Sequence, residues 1–144
     1  MLPEFTDDGL LPPGIHQATI AEFKERFAVF ARSDRRWRIL QKIEALLTEA
    51  KRSGIVRRVL VAGSYVTAKA EPSDFDCILV LDPSVVGGAF PPFQYNLVSR
   101  RMARRMFGGD ILPALDGSTA LAKYLEFFQT TREGWRAGIV EIEL

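Results

Sequence analysis

Residues 59–81 read VLVAGSYVTAKAEPSDFDCILVL, and the reading of the fold turns on them. The apolar run at 59–62 predicts a strand, and Gly63 and Ser64 predict a tight turn. A short helical or looped segment follows, then a second strand over 74–81. Side chains alternate along a strand, so Asp74 and Asp76 are expected on one face, with Phe75 and Cys77 on the other. On a rise of about 3.3 Å per residue the two carboxylates stand about 6–7 Å apart at Cα. Neighbouring carboxylates repel, and each raises the other's pKa unless a cation stands between them. Hard oxygen ligands at this spacing suit Mg²⁺, which keeps several waters and takes one or two carboxylates together with substrate phosphates. Gly63 lets the backbone approach a ligand closely. Ser64 adds a hydroxyl, a helix N-terminus after it would offer free N–H groups to an anion, and Lys69 adds a positive charge. A Gly-Ser turn alone, or an Asp-x-Asp pair alone, is common in solvated turns. The order of the parts is what points to a phosphate and metal site: apolar strand, Gly-Ser, residues 65–73 as spacer, then Asp-apolar-Asp-apolar running on into a strand.

Working outward, the chain has the size of one domain, with 144 residues of which 47% are apolar and 26% charged. A net charge of +1 gives no compositional argument for nucleic acid or for a membrane surface. The single cysteine, Cys77, falls in a strand and is expected to be buried, so neither a disulfide framework nor a cysteine-based zinc site forms within one chain. The acidic, proline-containing N-terminus is not a signal peptide, and no apolar run approaches the ~20 residues of a membrane helix. A cytoplasmic protein is expected.

Residues 1–17 are rich in Pro and Gly and predict an extended arm. His16, the only histidine, is expected to cap or pack rather than to act as base or ligand. Thr19 with Glu22 three residues on fits a capping box, and Phe23, Phe27 and Phe30 recur at helical spacing as a core stripe. Ser33 or Asp34 is placed to cap a second helix to about Ser53, with Ile39, Leu40, Ile43, Leu46 and Leu47 inward and Gly54 as its stop. Residues 83–93 predict a Gly/Pro-rich loop at the far end of the carboxylate strand, and whether it reaches the site is left open. Residues 94–107 predict one helix with Val98, Met102 and Met106 inward. Arg100, Arg101, Arg104 and Arg105 lie outward, either as a solvated face or as a contact for phosphates or an acidic partner. Gly108 and Gly109 break that helix, and 110–112 start a short strand that Pro113 shortens or pushes to an edge. Ser118 or Thr119 caps a last helix to about Thr130, with Leu121, Tyr124, Leu125 and Phe128 inward. Residues 138–144 alternate as a half-buried strand, with Glu141 and Glu143 on its polar face.

The central order resembles the nucleotidyltransferase superfamily that includes polymerase beta. Its signature is an apolar residue, Gly, Gly or Ser, a spacer of about ten residues, then Asp, apolar, Asp or Glu, apolar. Ala62-Gly63-Ser64, residues 65–73 and Asp74-Phe75-Asp76-Cys77 fill it without a gap. More narrowly, the chain is similar to small bacterial and phage proteins of that superfamily. Four stretches carry the likeness: residues 13–16 (PGIH), 63–69 (GSYVTAK), 72–76 (PSDFD) and 138–142 (GIVEI).

The resemblance implies an α+β fold over residues 1–144, a mixed sheet with helices packed mainly on one face. It implies a third acid on a strand beside the first pair, for which Asp110 is the candidate and Asp116 the competitor. Asp74, Asp76 and Asp110 would then be catalytic residues and hold Mg²⁺ or Mn²⁺, while Gly63, Ser64 and Lys69 would bind the nucleotide. The implied reaction joins a nucleoside monophosphate from an NTP to a hydroxyl on RNA or tRNA, a protein or a small molecule. Little chain remains for an acceptor-binding domain, so the acceptor would dock on a flat face, on a partner protein or across a homodimer. Toxin–antitoxin and phage-defence pairs contain standalone domains of this kind. From a different class comes a non-catalytic regulatory or antitoxin-type partner that keeps the fold or the nucleotide site. A Mg²⁺-dependent phosphodiesterase is a third reading; it needs the same acids but not the Gly-Ser turn.

Overall fold

A computed structural model of the chain describes residues 1–28, 34–88 and 90–144. Among them, five strands form one sheet in the order β1-β5-β2-β3-β4. The strands are β1 (Ile15–Ala18), β2 (Val56–Ala62), β3 (Asp76–Leu81), β4 (Asp110–Leu115) and β5 (Ile139–Ile142). β2 runs antiparallel to both β3 and β5, while β1 with β5 and β3 with β4 are parallel, so the sheet is mixed. The helices are α1 (Ile20–Phe27), α2 (Arg35–Ser53), α3 (Pro92–Val98), α4 (Arg100–Phe107) and α5 (Thr119–Phe128).

The helices α1 to α4 cover one face of the sheet, where Val59, Val61, Cys77, Leu79 and Ile111 meet Phe23, Phe27, Leu40, Ile43, Leu97 and Phe107. The other face carries Leu60, Ala62, Ile78, Val80 and Ala114, covered by Leu121 and the half-buried Tyr124, Leu125 and Phe128 of α5. This is the expected α+β arrangement, with most helices on one side. Burial of Cys77 in the first layer pushes its thiol pKa up.

Local signals explain most boundaries. Thr19 and Glu22 form the full capping box of α1. Gly54 ends α2 in the left-handed conformation at φ 71°. Asp34 sits at the N-cap of α2, but its side chain makes no cap bond and pairs with Arg38 at 2.9 Å instead. Phe30 and Ser33 lie outside the described residues. Pro113 is accommodated because β4 is the edge strand, where a missing N–H is not needed by an outer neighbour.

Three expectations need correction. The arm at 1–17 is built into the fold: Leu2 and Leu11 are buried, and β1 pairs in parallel with β5. The segment 94–107 is two helices, because Ser99 ends α3 and its hydroxyl accepts from Met102 N to start α4. That restart resets the helical phase, so Leu97, Ala103 and Phe107 are buried while Met106 is exposed. Asp74 precedes the strand rather than starting it, since β3 begins at Asp76. The tight turn at Gly63 and Ser64 is, as expected, short: a single 3-10 turn over Gly63–Val66.

Candidate active site

The parallel pairing of β3 with β4 fixes the site. Its register places Asp76 directly opposite Asp110, each the first residue of its strand. Neighbouring strands lie about 4.8 Å apart, so the two carboxylates share one sheet face and one end. On that face they precede Ile78 and Leu112, at the end of the layer under α5. The antiparallel β2 brings its last residue, Ala62, opposite Asp76 and so delivers Gly63 to the same point.

Gly63 has φ +78°, and a Cβ added there would collide with Asp76 Oδ2. Only glycine allows this turn and this carboxylate to coexist. We therefore expect Gly63→Ala to destabilise the fold by roughly 2–4 kcal/mol, measured by urea unfolding, from the left-handed backbone and the displaced carboxylate together. A loss under 0.5 kcal/mol would show that the contact is not a constraint.

The loop into β4 is equally tight. Gly108 closes α4 at φ +77°, and a Cβ on Gly109 would lie 2.5 Å from Phe75 Cζ. Asp110 N then donates to Phe75 O at 3.0 Å. Phe75, buried between the two acids of the motif, thus sets where the neighbouring strand begins.

All six residues named from the sequence line one cleft of about 1120 Å³: Gly63, Ser64, Lys69, Asp74, Asp76 and Asp110. The residues that compete with them are elsewhere. Asp116 pairs with Arg57 at 3.0 Å, and Glu141 accepts from Arg58 at 3.0 and 2.7 Å. No described residue of the 83–93 loop lines the cleft. His16 packs, its Nε2 within 2.6 Å of Pro12 O.

Electrostatics single out Asp76. Its carboxyl is pushed up to about 6, first by burial, then by Asp74 and Asp110, with Arg104 and Arg132 opposing. Its two neighbours are paired. Arg100 grips Asp110 with two bonds of 3.0 and 3.1 Å, and Arg104 Nη2 lies 3.6 Å from Asp74 Oδ2. Among the described residues Asp76 has no hydrogen-bond or ion-pair partner, and no three His, Cys, Asp or Glu side chains are gathered as a metal cluster. Hard divalent cations take carboxylate oxygens, and those of Asp74, Asp76 and Asp110, which line the cleft together, are the ones that could hold such an ion.

Two contributions were missed from sequence. The first is the far wall, where Lys123, Tyr124, Phe127 and Phe128 of α5 and Thr130 to Arg132 after it face the cleft. Phe127 is 70% exposed, a large aromatic on the polar side of α5, and that oddity was the available signal. The second is Arg36, fully buried at the start of α2. It donates to the carbonyls of Phe27, Tyr65, Thr67 and Lys69 over 2.6–3.0 Å and lies 4.9 Å from the Tyr65 ring centre. Arg36 thus shapes the segment from the Gly-Ser turn to Lys69.

Fold and site together define an α+β protein with a charged cleft, holding both carboxylates and basic side chains, at the starts of two parallel strands. The chain belongs to DUF6932, a family of unknown function, whose model matches residues 3–143. No curated protein and no solved structure matches the chain. No helix among the described residues is long and apolar enough to cross a membrane.

Proposed function

We propose that this protein is a metal-dependent nucleotidyltransferase, moving a nucleoside monophosphate from an NTP to a hydroxyl acceptor. The observation that carries the reading is the register pair Asp76 and Asp110, with Asp74 two residues ahead, beside the Gly63-Ser64 turn in one cleft. Asp74, Asp76 and Asp110 would hold Mg²⁺ or Mn²⁺, which when bound polarises the phosphates and lowers the pKa of the attacking hydroxyl. Gly63 and Ser64 receive the phosphates, with Lys69 on the same wall. The acceptor oxygen attacks the α-phosphorus, the bond from that phosphorus to the bridging oxygen breaks, and pyrophosphate leaves. The hydroxyl proton passes to Asp110. The acceptor, whether RNA or tRNA, a protein or a small molecule, approaches along the α5 wall. A partner protein, as in a toxin–antitoxin pair, or a second copy of the chain would complete its docking.

The test is incubation with Mg²⁺ or Mn²⁺ and each labelled NTP, alone and with bulk RNA. Label transfer with pyrophosphate release is expected, and Asp76→Asn abolishes it. Transfer retained in that variant would remove the carboxylates from the mechanism.

A second reading has its own observation. Arg100 and Arg104 stand on two of the three acids, so the cleft is charge-compensated without any metal. A non-catalytic partner that keeps only the fold or the nucleotide site would look like this. NTP binding without transfer or pyrophosphate distinguishes it.

A further inference from the structure

Two arginines of α4 have no role in the reaction as set out above, yet both line the cleft where it is placed. Arg100 and Arg104 are one turn apart and so share a side of the helix. Both line the cleft, each on a different carboxylate. Arg101 and Arg105, on the same helix, are exposed and make no ion pair among the described residues. The pair is therefore selected by position, through the Ser99 cap that starts α4 and the Gly108-Gly109 turn that joins it to β4.

We propose that Arg100 and Arg104 form the polyphosphate clamp of the cleft, and that they reach it by exchanging partners. The cleft lining sets Asp74, Asp76, Asp110 and Glu133 against Lys69, Arg100, Arg104, Lys123 and Arg132, a slightly basic balance that suits a polyphosphate. A divalent ion held by Asp110 and Asp74 would compete with Arg100 and Arg104 for the same carboxylate oxygens and so release them. The freed groups face the phosphates that accompany the ion. The guanidinium fork that now fits Asp110 fits a phosphate in the same two-bond manner. Both arginine side chains are more than half exposed, at 62% and 57%, so solvent screens their present ion pairs and neither is locked in place by burial. Metal and polyphosphate binding are thereby coupled, each promoting the other.

This inference rests on the nucleotidyltransferase reading, and one titration separates the two. Inorganic tripolyphosphate and a non-hydrolysable NTP analogue are titrated calorimetrically into the protein, with and without Mg²⁺. The wild type binds both ligands more tightly with Mg²⁺. Arg100→Ala and Arg104→Ala each weaken Mg²⁺-dependent binding about tenfold, and the double variant about a hundredfold. Asp110→Asn, which frees Arg100 without a metal, strengthens metal-free tripolyphosphate binding, an effect that a merely structural arginine would not produce. Unchanged melting curves show that the exposed arginine variants remain folded. Wild-type binding that both alanine variants retain overturns the clamp and leaves the nucleotidyltransferase reading standing. No binding by the wild type overturns both.

Discussion

Asp76→Asn is expected to abolish nucleotidyl transfer and, above pH 7, to make the protein more stable. The carboxyl of Asp76 is raised from 3.8 to about 6 by burial and by Asp74 and Asp110. The folded chain therefore holds this proton more tightly than the unfolded chain does. The stability this contributes is fully present below about pH 4 and is lost as the pH rises through 6. Asparagine has nearly the same shape and never ionises, so it escapes the loss. The variant and the wild type should melt together near pH 4. They should diverge to a difference of roughly 1–3 kcal/mol above pH 7, on the order of 3–10 °C in Tm. Saturating Mg²⁺ with an NTP analogue reverses the order, because only the wild type gains from binding. Melting scans from pH 4 to 8 check each part. A variant less stable than the wild type at pH 8 without metal would mean that burial and the neighbouring acids do not penalise the Asp76 charge.

Arg36→Met should produce the largest loss of stability, roughly 3–5 kcal/mol, or on the order of 10–15 °C in Tm. The substitution fills the same volume with an apolar chain but strands the carbonyls of Phe27, Tyr65, Thr67 and Lys69. Burial lowers the Arg36 pKa only to about 10, so the guanidinium stays charged at neutral pH. Tyr65, whose hydroxyl donates to Arg36 O at 3.0 Å, is part of the same arrangement. Arg36→Lys keeps the charge but cannot span four carbonyls with one planar fork, so most of the loss persists. Hydrogen exchange should show the amides of 65–69 opening first, and weaker binding of an NTP analogue should follow. A loss under 1 kcal/mol would show that the segment holds its shape without this arginine.

Much of the fold was legible because local signals and tertiary packing agree. The Thr19-Glu22 box, the Gly54 stop and the apolar run from Cys77 to Leu81 each appear where the residues demand them. Asp110 was legible as a strand start, and its register opposite Asp76 is what a third acid beside the pair requires. Other features depend on partners far along the chain. Residues 15–18 carry too short a pattern to announce a strand; β5 makes them one. Asp74 falls outside β3 because β4, held back by Gly109 against Phe75, begins only at Asp110. Helical periodicity also hides a buried arginine: Arg36 lies on the inner side of α2 with Ile39, Leu40 and Ile43, where apolar counting passes over it. The four arginines of α4 look alike in sequence, and only the restart at Ser99 separates the two that face the acids from the two that face solvent.

The central claim is that three carboxylates and a Gly-Ser turn share one metal-bound nucleotide. Electron paramagnetic resonance of Mn²⁺, titrated with the protein and a non-hydrolysable NTP analogue, measures this without requiring an acceptor. A protein-bound Mn²⁺ signal that strengthens with the analogue is expected, weakened at least about tenfold in Asp76→Asn and in Asp110→Asn. Mn²⁺ that the wild type binds no more tightly than Asp76→Asn does, with the analogue present, would contradict it.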